Sequence, residues 1–554
     1  MSLAVSASAG SITALGANSA PQGSTVLVNP KVNSRVNPIG IDDTDPVFSW
    51  QLDSNIIGQS QASYQIKVYK EAPDGELVWD SGVQTSTAST QIEYGSTGEA
   101  QPLEACTRYY WTIDVTDATG ETLTYQDASY FETGLMDSTM SAWDGAQWIG
   151  ANDYYVNAQE LPIYNIDYTL KLVPESTKVS FLFGANDQRL LDATKNNYLI
   201  EGENYIAYEL EASSFPAKIN IWRAGYCPED IEAGRTLVNT LEVPETVVNA
   251  DNLYAEHDFH LVNSGNAVAL TIDGTAIGRA VTLNPLNKTV DVPTYPLLGD
   301  IGFEAEAGQV AMVTNLSVSN YRTPNGVLFG ENTGATYSIF QGQRGLSVID
   351  GTIYVNGGVS GIRSYSDPSY GSMPMLRTEL QADREIEDAR LYVTARGVYE
   401  MYINGERMSD DWFNPGNNQY QDSMPYSTYD VTDMLQTGEN AIGVMLGSGW
   451  WSDQMSFTIR NYNFFGDKPG LLAKLVIEYT DGSTEEIVTN TEDWKYYDDS
   501  PVVYAGFFDG EVYDATKEAA VENWATADYD DSTWETDVYK RQDQGSALAW
   551  RQVL

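Results

Sequence analysis

Residues 389–405 read Ala-Arg-Leu-Tyr-Val-Thr-Ala-Arg-Gly-Val-Tyr-Glu-Met-Tyr-Ile-Asn-Gly, and this stretch decides the fold class. Two runs, Ala389–Ala395 and Tyr399–Ile403, are rich in β-branched and aromatic residues and alternate in the manner of strands. Asn404-Gly405 then supplies the two positive-φ positions that a type I′ hairpin turn requires. A β-sandwich built from short antiparallel strands follows.

The same text recurs toward the N-terminus. Phe48–Leu52, Tyr64–Tyr69 and Tyr109–Val115 are strand runs, with Tyr64, Ile66 and Val68 alternating against Gln65, Lys67 and Tyr69. Pro73-Asp-Gly75 and Ala118-Thr-Gly120 supply turns between them. A second unit holds Val179–Phe183, Lys218–Trp222 and Ala267–Ile272, the last closed by Asp273-Gly274. Leu298–Phe303, Gln309–Val313 and Leu316–Val318 read as its closing strands. This larger unit is expected to be a sandwich of lectin, concanavalin or jelly-roll type. No long amphipathic helix pattern interrupts the series, so the fold class is all-β, with tandem β-sandwiches.

Composition bounds the function. The chain has 554 residues, 30 Lys+Arg against 78 Asp+Glu, a net charge of −48, two His and two Cys. That length predicts three or four domains. The acidity repels phosphate backbones and anionic headgroups, which excludes nucleic acid and membrane surfaces as partners. No run of 18 apolar residues offers a transmembrane helix. Cys106 and Cys227 fall in different units and are expected to be lone buried thiols. His257 and His260 lie at i and i+3 of a strand, on opposite faces, and no GxSxG elbow accompanies them, so a serine-hydrolase triad is a poor candidate.

Among acidic pairs, Asp410-Asp411, Glu485-Glu486, Asp498-Asp499 and Asp530-Asp531 are chain neighbours that point apart, so none is set as a general acid and base, and no catalytic residue is assigned. Sugar binding suits the chain better, because aromatic faces pack on the apolar side of a pyranose while amides take its hydroxyls. The carbohydrate-binding candidates are Trp450 and Trp451, with Trp412, Asn417 and Tyr420 from a turn-rich stretch. Trp222, Arg223, Tyr226, Asn196, Asn197 and Tyr205 are secondary candidates in the second unit. No cofactor is expected. Asp42–Asp45 and Asp117–Glu121 are oxygen-rich turns suited to a structural calcium, though neither completes an EF-hand loop.

Phe48-Ser-Trp50, Val78-Trp-Asp-Ser-Gly82, Tyr109-Tyr-Trp111, Phe131-Glu-Thr-Gly-Leu135 and Trp148-Ile-Gly150 resemble the fibronectin-III-like opening domain of bacterial α-L-rhamnosidases. Leu376-Arg377, Gly397–Gly405, Pro415-Gly416, Tyr429-Asp-Val-Thr432, Gly438–Ile442, Leu446-Gly-Ser-Gly-Trp-Trp451 and Gly510-Glu-Val-Tyr-Asp-Ala515 are similar to that family's N-terminal β-domain. The resemblance implies a leader or signal remnant at 1–24, a fibronectin-III-like domain at 25–137 and an inserted lectin-like sandwich at 151–325. The Gly-, Ser- and Asn-rich text at 326–374 reads as a connecting segment with a strand or two of its own, and the resemblance continues with the rhamnosidase N-terminal β-sandwich at 375–520 and the start of a linker at 521–554. The family's catalytic (α/α)6 barrel is expected beyond Leu554, so this chain would be an accessory, substrate-positioning region of an inverting α-L-rhamnosidase, inactive alone. Its implied partners are that barrel and rhamnose-containing glycans or glycosides of plant origin. The alternative is a stand-alone carbohydrate-binding or surface adhesion protein. The acidic, nearly Cys-free composition points to the cell surface or exterior, with the cytoplasm as the alternative.

Overall fold

The structure is a computed structural model that describes residues 24–151, 157–187, 204–226, 228–265, 267–283, 296–322, 327–330, 337–369, 371–456, 463–508, 510–536, 539–540 and 549–552. Among the described residues strands dominate, and no helix reaches seven residues. Among the described residues no helix is long and apolar enough to cross a membrane. The leader at 1–23, Cys227, Asn196 and Asn197 lie outside the described residues.

In the first unit, a three-stranded sheet of Thr25–Val32, Val47–Ser54 and Ile92–Glu93 faces a five-stranded sheet centred on Gln61–Lys70 and Arg108–Asp117. The period-2 reading holds, with Tyr64, Ile66 and Val68 all buried. Between the sheets lie Phe48, Trp50, Trp79, Trp111 and Phe131, with Phe48 and Trp111 edge to face at 4.9 Å. Cys106 corrects an expectation: it is a free thiol, but its residue sits exposed in a positive-φ turn.

The second unit stacks a nine-stranded sheet on a six-stranded one. The segment expected to be a connection extends both sheets. Leu346–Ile349 and Thr352–Asn356 form one edge of the larger sheet, and Ile362–Ser366 pairs antiparallel with Asp300–Ala305 in the smaller. A strand or two is expected in this Gly- and Ser-rich segment; their membership of both sheets is not, because pairing with Val310–Asn320 and Asp300–Ala305 is non-local, although Ile353 and Val355 alternate into the core. His257 and His260 stand on opposite faces of Glu256–Asn263, paired with Asp273 at 2.7 Å and Asp167 at 2.6 Å.

The third unit packs a five-stranded sheet against a seven-stranded one. The decisive hairpin is present: Ile386–Arg396 lies central in the larger sheet, and Val398–Ile403 turns at Asn404-Gly405 into Glu406–Arg407. Ile149–Gly150 adds to the larger sheet through Leu471, and Tyr539–Lys540 pairs with it. Ala549–Gln552 pairs in parallel with Ser423–Tyr426, so residues expected to begin a linker are strands of this sandwich.

The first and third units are fastened together. The guanidinium of Arg390 forks onto Glu132 at 2.7 and 2.8 Å, Arg108 spans Glu132 and Asp388 at 2.5 and 2.9 Å, and Lys474 pairs with Asp144. Tyr426 donates its hydroxyl to Asp42 at 2.7 Å and accepts from the Leu135 N–H at 2.9 Å. Around these polar links, Leu135, Trp143, Trp148, Tyr392 and Met424 form an apolar cluster shared by both units. Its closure fixes the direction in which the next loop, with Trp450 and Trp451, can point.

Candidate functional site

Ser448 ends the long strand Gly438–Gly447, and the chain makes one short helical turn, Gly449–Ser452. Consecutive helical residues diverge by about 100°. Trp450 and Trp451 therefore cannot share a face. Trp451 is buried in the inter-unit cluster, edge to face with Tyr420 at 5.5 Å and beneath the Arg396 guanidinium at 5.3 Å. Tyr420 is buried beside it, donates to the Gly416 carbonyl at 2.9 Å, and is held far above the usual phenol pKa by desolvation. Both are packing residues by position.

Trp450 turns the other way and stacks on Phe507 with centroids 4.0 Å apart and planes at 28°. Phe413 meets the same Phe507 edge to face at 5.0 Å. Trp412 stands beside Phe413, 68% exposed, with the Arg407 guanidinium 4.4 Å from its ring centre. Asn417 is exposed on the same loop. The structure thus joins Trp450 and Phe413 through Phe507 into an aromatic shelf, with Trp412 beside it as the chain neighbour of Phe413.

Beneath the shelf, Asp453 is fully buried and accepts from the Tyr504 hydroxyl at 3.0 Å. Gly506 makes this possible, since a Cβ there would lie 2.4 Å from Asp453 Oδ2. On the loop side, Asn414 donates to the Tyr429 hydroxyl at 2.5 Å, and that hydroxyl lies within 3.3 Å of Asp411. Phe507 and Asp453 were not among the sequence candidates. The adjacent aromatics in Ala505-Gly-Phe-Phe508 were the available signal, because two neighbouring bulky rings on a turn cannot both enter one core.

The candidates of the second unit fall into two groups, Tyr205 with Trp222 in one small cluster that Arg235 touches, and Arg223 with Tyr226 around Asp230. Arg223 is buried against Asp230 at 2.8 and 3.1 Å, and Tyr226 donates to the Gly184 carbonyl. Trp222 donates its indole N–H to Glu209 at 3.2 Å and carries Arg235 at 4.2 Å, while Tyr205 is buried under Arg363 at 4.5 Å.

The oxygens of the two acidic turns are engaged by the chain itself. Asp42 accepts from Tyr426 and the Met136 N–H, and Asp117 accepts from Thr119 and the Glu121 N–H. Among the described residues, no three His, Cys, Asp or Glu side chains are grouped to hold a metal ion. The acidic pairs serve separate contacts: Glu485 accepts from Tyr479, Glu486 pairs with Lys474, Asp499 with Lys517, and Asp531 with Arg377 and Lys495. A general acid working near neutral pH needs a raised carboxyl pKa. Glu478 has a raised carboxyl pKa, from burial and from Asp388, and it lies on the ion-paired side rather than at the shelf.

Comparison with known proteins agrees with this architecture. Residues 384–552 match the alpha-L-rhamnosidase N-terminal domain family, and residues 27–137 match the Rha78A-like N-terminal immunoglobulin domain. An alpha-L-rhamnosidase of Streptomyces avermitilis is 27% identical over 532 residues, covering 92% of this chain and 44% of its own length. One from Formosa agariphila is 30% identical over 510 residues, covering 91% of this chain and 32% of its own. The chain therefore spans less than half the length of these relatives. The solved Streptomyces avermitilis alpha-L-rhamnosidase complexed with L-rhamnose superposes with a TM-score of 0.53 at 21% identity, over 95% of this chain and 46% of that one, which shows a shared fold. With both flanking sandwiches matched in order, and relatives of one kind aligned along more than nine-tenths of it, the chain corresponds to an α-L-rhamnosidase N-terminal region of β-sandwiches.

Proposed function

We propose that this chain is the accessory, substrate-positioning region of an α-L-rhamnosidase, and that its parent hydrolyses terminal α-L-rhamnosides of plant glycosides or polysaccharides with inversion. The aromatic shelf carries this reading. Trp450, Phe413 and Trp412 offer ring faces for the apolar side of a pyranose, while the Asn417 amide and Arg407 guanidinium stand ready for its hydroxyls. Inversion needs an acid and a base about 6.5–9.5 Å apart on either side of the sugar. Glu486, Asp499 and Asp531, from three of the adjacent acidic pairs, are spent on ion pairs within the sandwiches, so that couple is assigned to the barrel of a longer polypeptide. The barrel and rhamnose-bearing glycans are the proposed partners. The charge of −48 disfavours nucleic acid and suits an extracellular or cell-surface protein.

Affinity electrophoresis through a rhamnose-bearing polysaccharide tests the reading. The chain should be retarded, and Trp450→Ala should weaken that retention about tenfold, as expected for loss of a half-buried aromatic anchor stacked on Phe507. Absence of retardation in the unmodified chain would refute a sugar-binding role.

A further inference from the structure

A groove of about 570 Å³ lies elsewhere on the third sandwich, at the base of the hairpin whose tip carries Phe507. Its floor is the cross-strand pair Met375 and Met445, directly opposite one another on adjacent strands, together with Trp524. Its rim is Tyr513, Glu518 and Glu522. The volume is that of a small-molecule site.

The rim chemistry is one-sided. Tyr513 donates its hydroxyl to Glu518 at 2.8 Å, so the rim presents carboxylate acceptors. Lys517, next in the chain to Glu518, is taken by Asp499 at 2.7 Å. Glu522 is exposed and has no hydrogen-bond or ion-pair partner among the described residues. Such a rim rejects phosphates and carboxylates and takes a ligand that donates. Thioether and indole surfaces below it suit an apolar face, and methionine adapts to the shape of what it meets. An ammonium would gain little from carboxylates this exposed, because water and salt screen the pair. A neutral ring with hydroxyls along one edge and C–H or methyl groups on the other uses both surfaces.

We propose that this groove is a second carbohydrate subsite, for a neutral pyranoside, separate from the aromatic shelf. The inference rests on the glycan-binding reading above, and the test separates the two. Binding of methyl α-L-rhamnoside is followed by saturation-transfer NMR in the full chain and in three variants. Glu522→Gln should weaken one binding component about fivefold to tenfold, because the amide keeps an acceptor and loses only the added strength of a charged one. Ala519→Trp, an exposed residue on the groove wall, should fill the groove and abolish that component. Trp450→Ala should leave it in place. Glu522 is unpartnered, so its replacement tests the site without unfolding it.

If Trp450→Ala removes all binding and the two groove variants change nothing, the shelf reading stands and the groove proposal falls. If tetramethylammonium binds in a manner sensitive to Glu522→Gln while the glycoside does not, the groove is an organic-cation site and the proposal is overturned. If the unmodified chain binds no glycoside, both readings fall together.

Discussion

Arg390 shows at the residue scale why one side chain can join two domains. Burial works against its charge, but Glu132, Asp388 and Asp430 outweigh that cost and hold the guanidinium above its ordinary pKa. Its planar fork matches the Glu132 carboxylate in two bonds, a geometry that lysine cannot reproduce. Arg390→Ala leaves Glu132 buried with Arg108 as its remaining cation, so we expect a loss of about 3 kcal/mol in denaturant unfolding. A loss under about 1 kcal/mol would mean that the interface is solvated and the domains loosely held. Arg377 plays a comparable part within the third sandwich. It is fully buried and donates to the carbonyls of Trp524 and Thr526 and to Asp531, which ties the chain after residue 520 back onto the sheet.

At the scale of elements, the Asn404-Gly405 hairpin is both a turn and an anchor. Both residues have positive φ, 51° and 84°, as a type I′ turn requires. The Asn404 side chain accepts from the Ala441 N–H at 2.9 Å and donates to the Met434 carbonyl at 2.9 Å, while the Gly405 N–H donates to Ala525. A Cβ on Gly405 would meet the Thr526 methyl at 2.9 Å in a backbone region that L-residues avoid. Gly405→Ala should therefore destabilise the chain by about 1–2 kcal/mol in chemical denaturation. An unchanged midpoint would show that the turn relaxes freely to another form. The resemblance motif Gly510–Ala515 likewise has a physical role: Asp514 accepts from the Thr516 N–H at 2.9 Å and caps the 3₁₀ turn Ala515–Ala520 below the groove.

For the whole molecule, the excess of carboxylates sets the response to acid. Asp117, Asp137, Asp481, Asp514, Asp528 and Asp530 all have lowered pKa values, chiefly because nearby Thr or Ser hydroxyls donate to them. A depressed folded-state pKa contributes stability above the unfolded value of about 3.9, and that contribution is lost as pH falls through the lower folded value. Glu478 has the opposite sign, since its raised pKa favours the folded state on protonation, but it stands against these six and the likewise lowered Asp80 and Glu211. Melting midpoints measured across pH should hold between about 8 and 5 and fall below about 4. A midpoint that rises from pH 4 to pH 3 would contradict this balance and make relief of self-repulsion the larger effect.

The sequence by itself determined the all-β class, the strands with clean alternation such as Gln61–Lys70, the Asn404-Gly405 turn and the family of the flanking sandwiches. Each of these is written in residues close together in the chain, where period and turn chemistry act. It suggested a strand or two within 326–374 but not which sheets they join, because their partners at Val310–Asn320 and Asp300–Ala305 are chosen by tertiary pairing. Nor could it tell Trp450 from Trp451. Their environments are chosen by partners far away in the chain, Phe507 for one and Tyr420, Arg396 and Trp148 for the other. Only tertiary structure brings 412–413, 450 and 507 to one surface, because which aromatic is covered depends on the non-local closure of two sandwiches over a common cluster, and local periodicity carries no information about that closure.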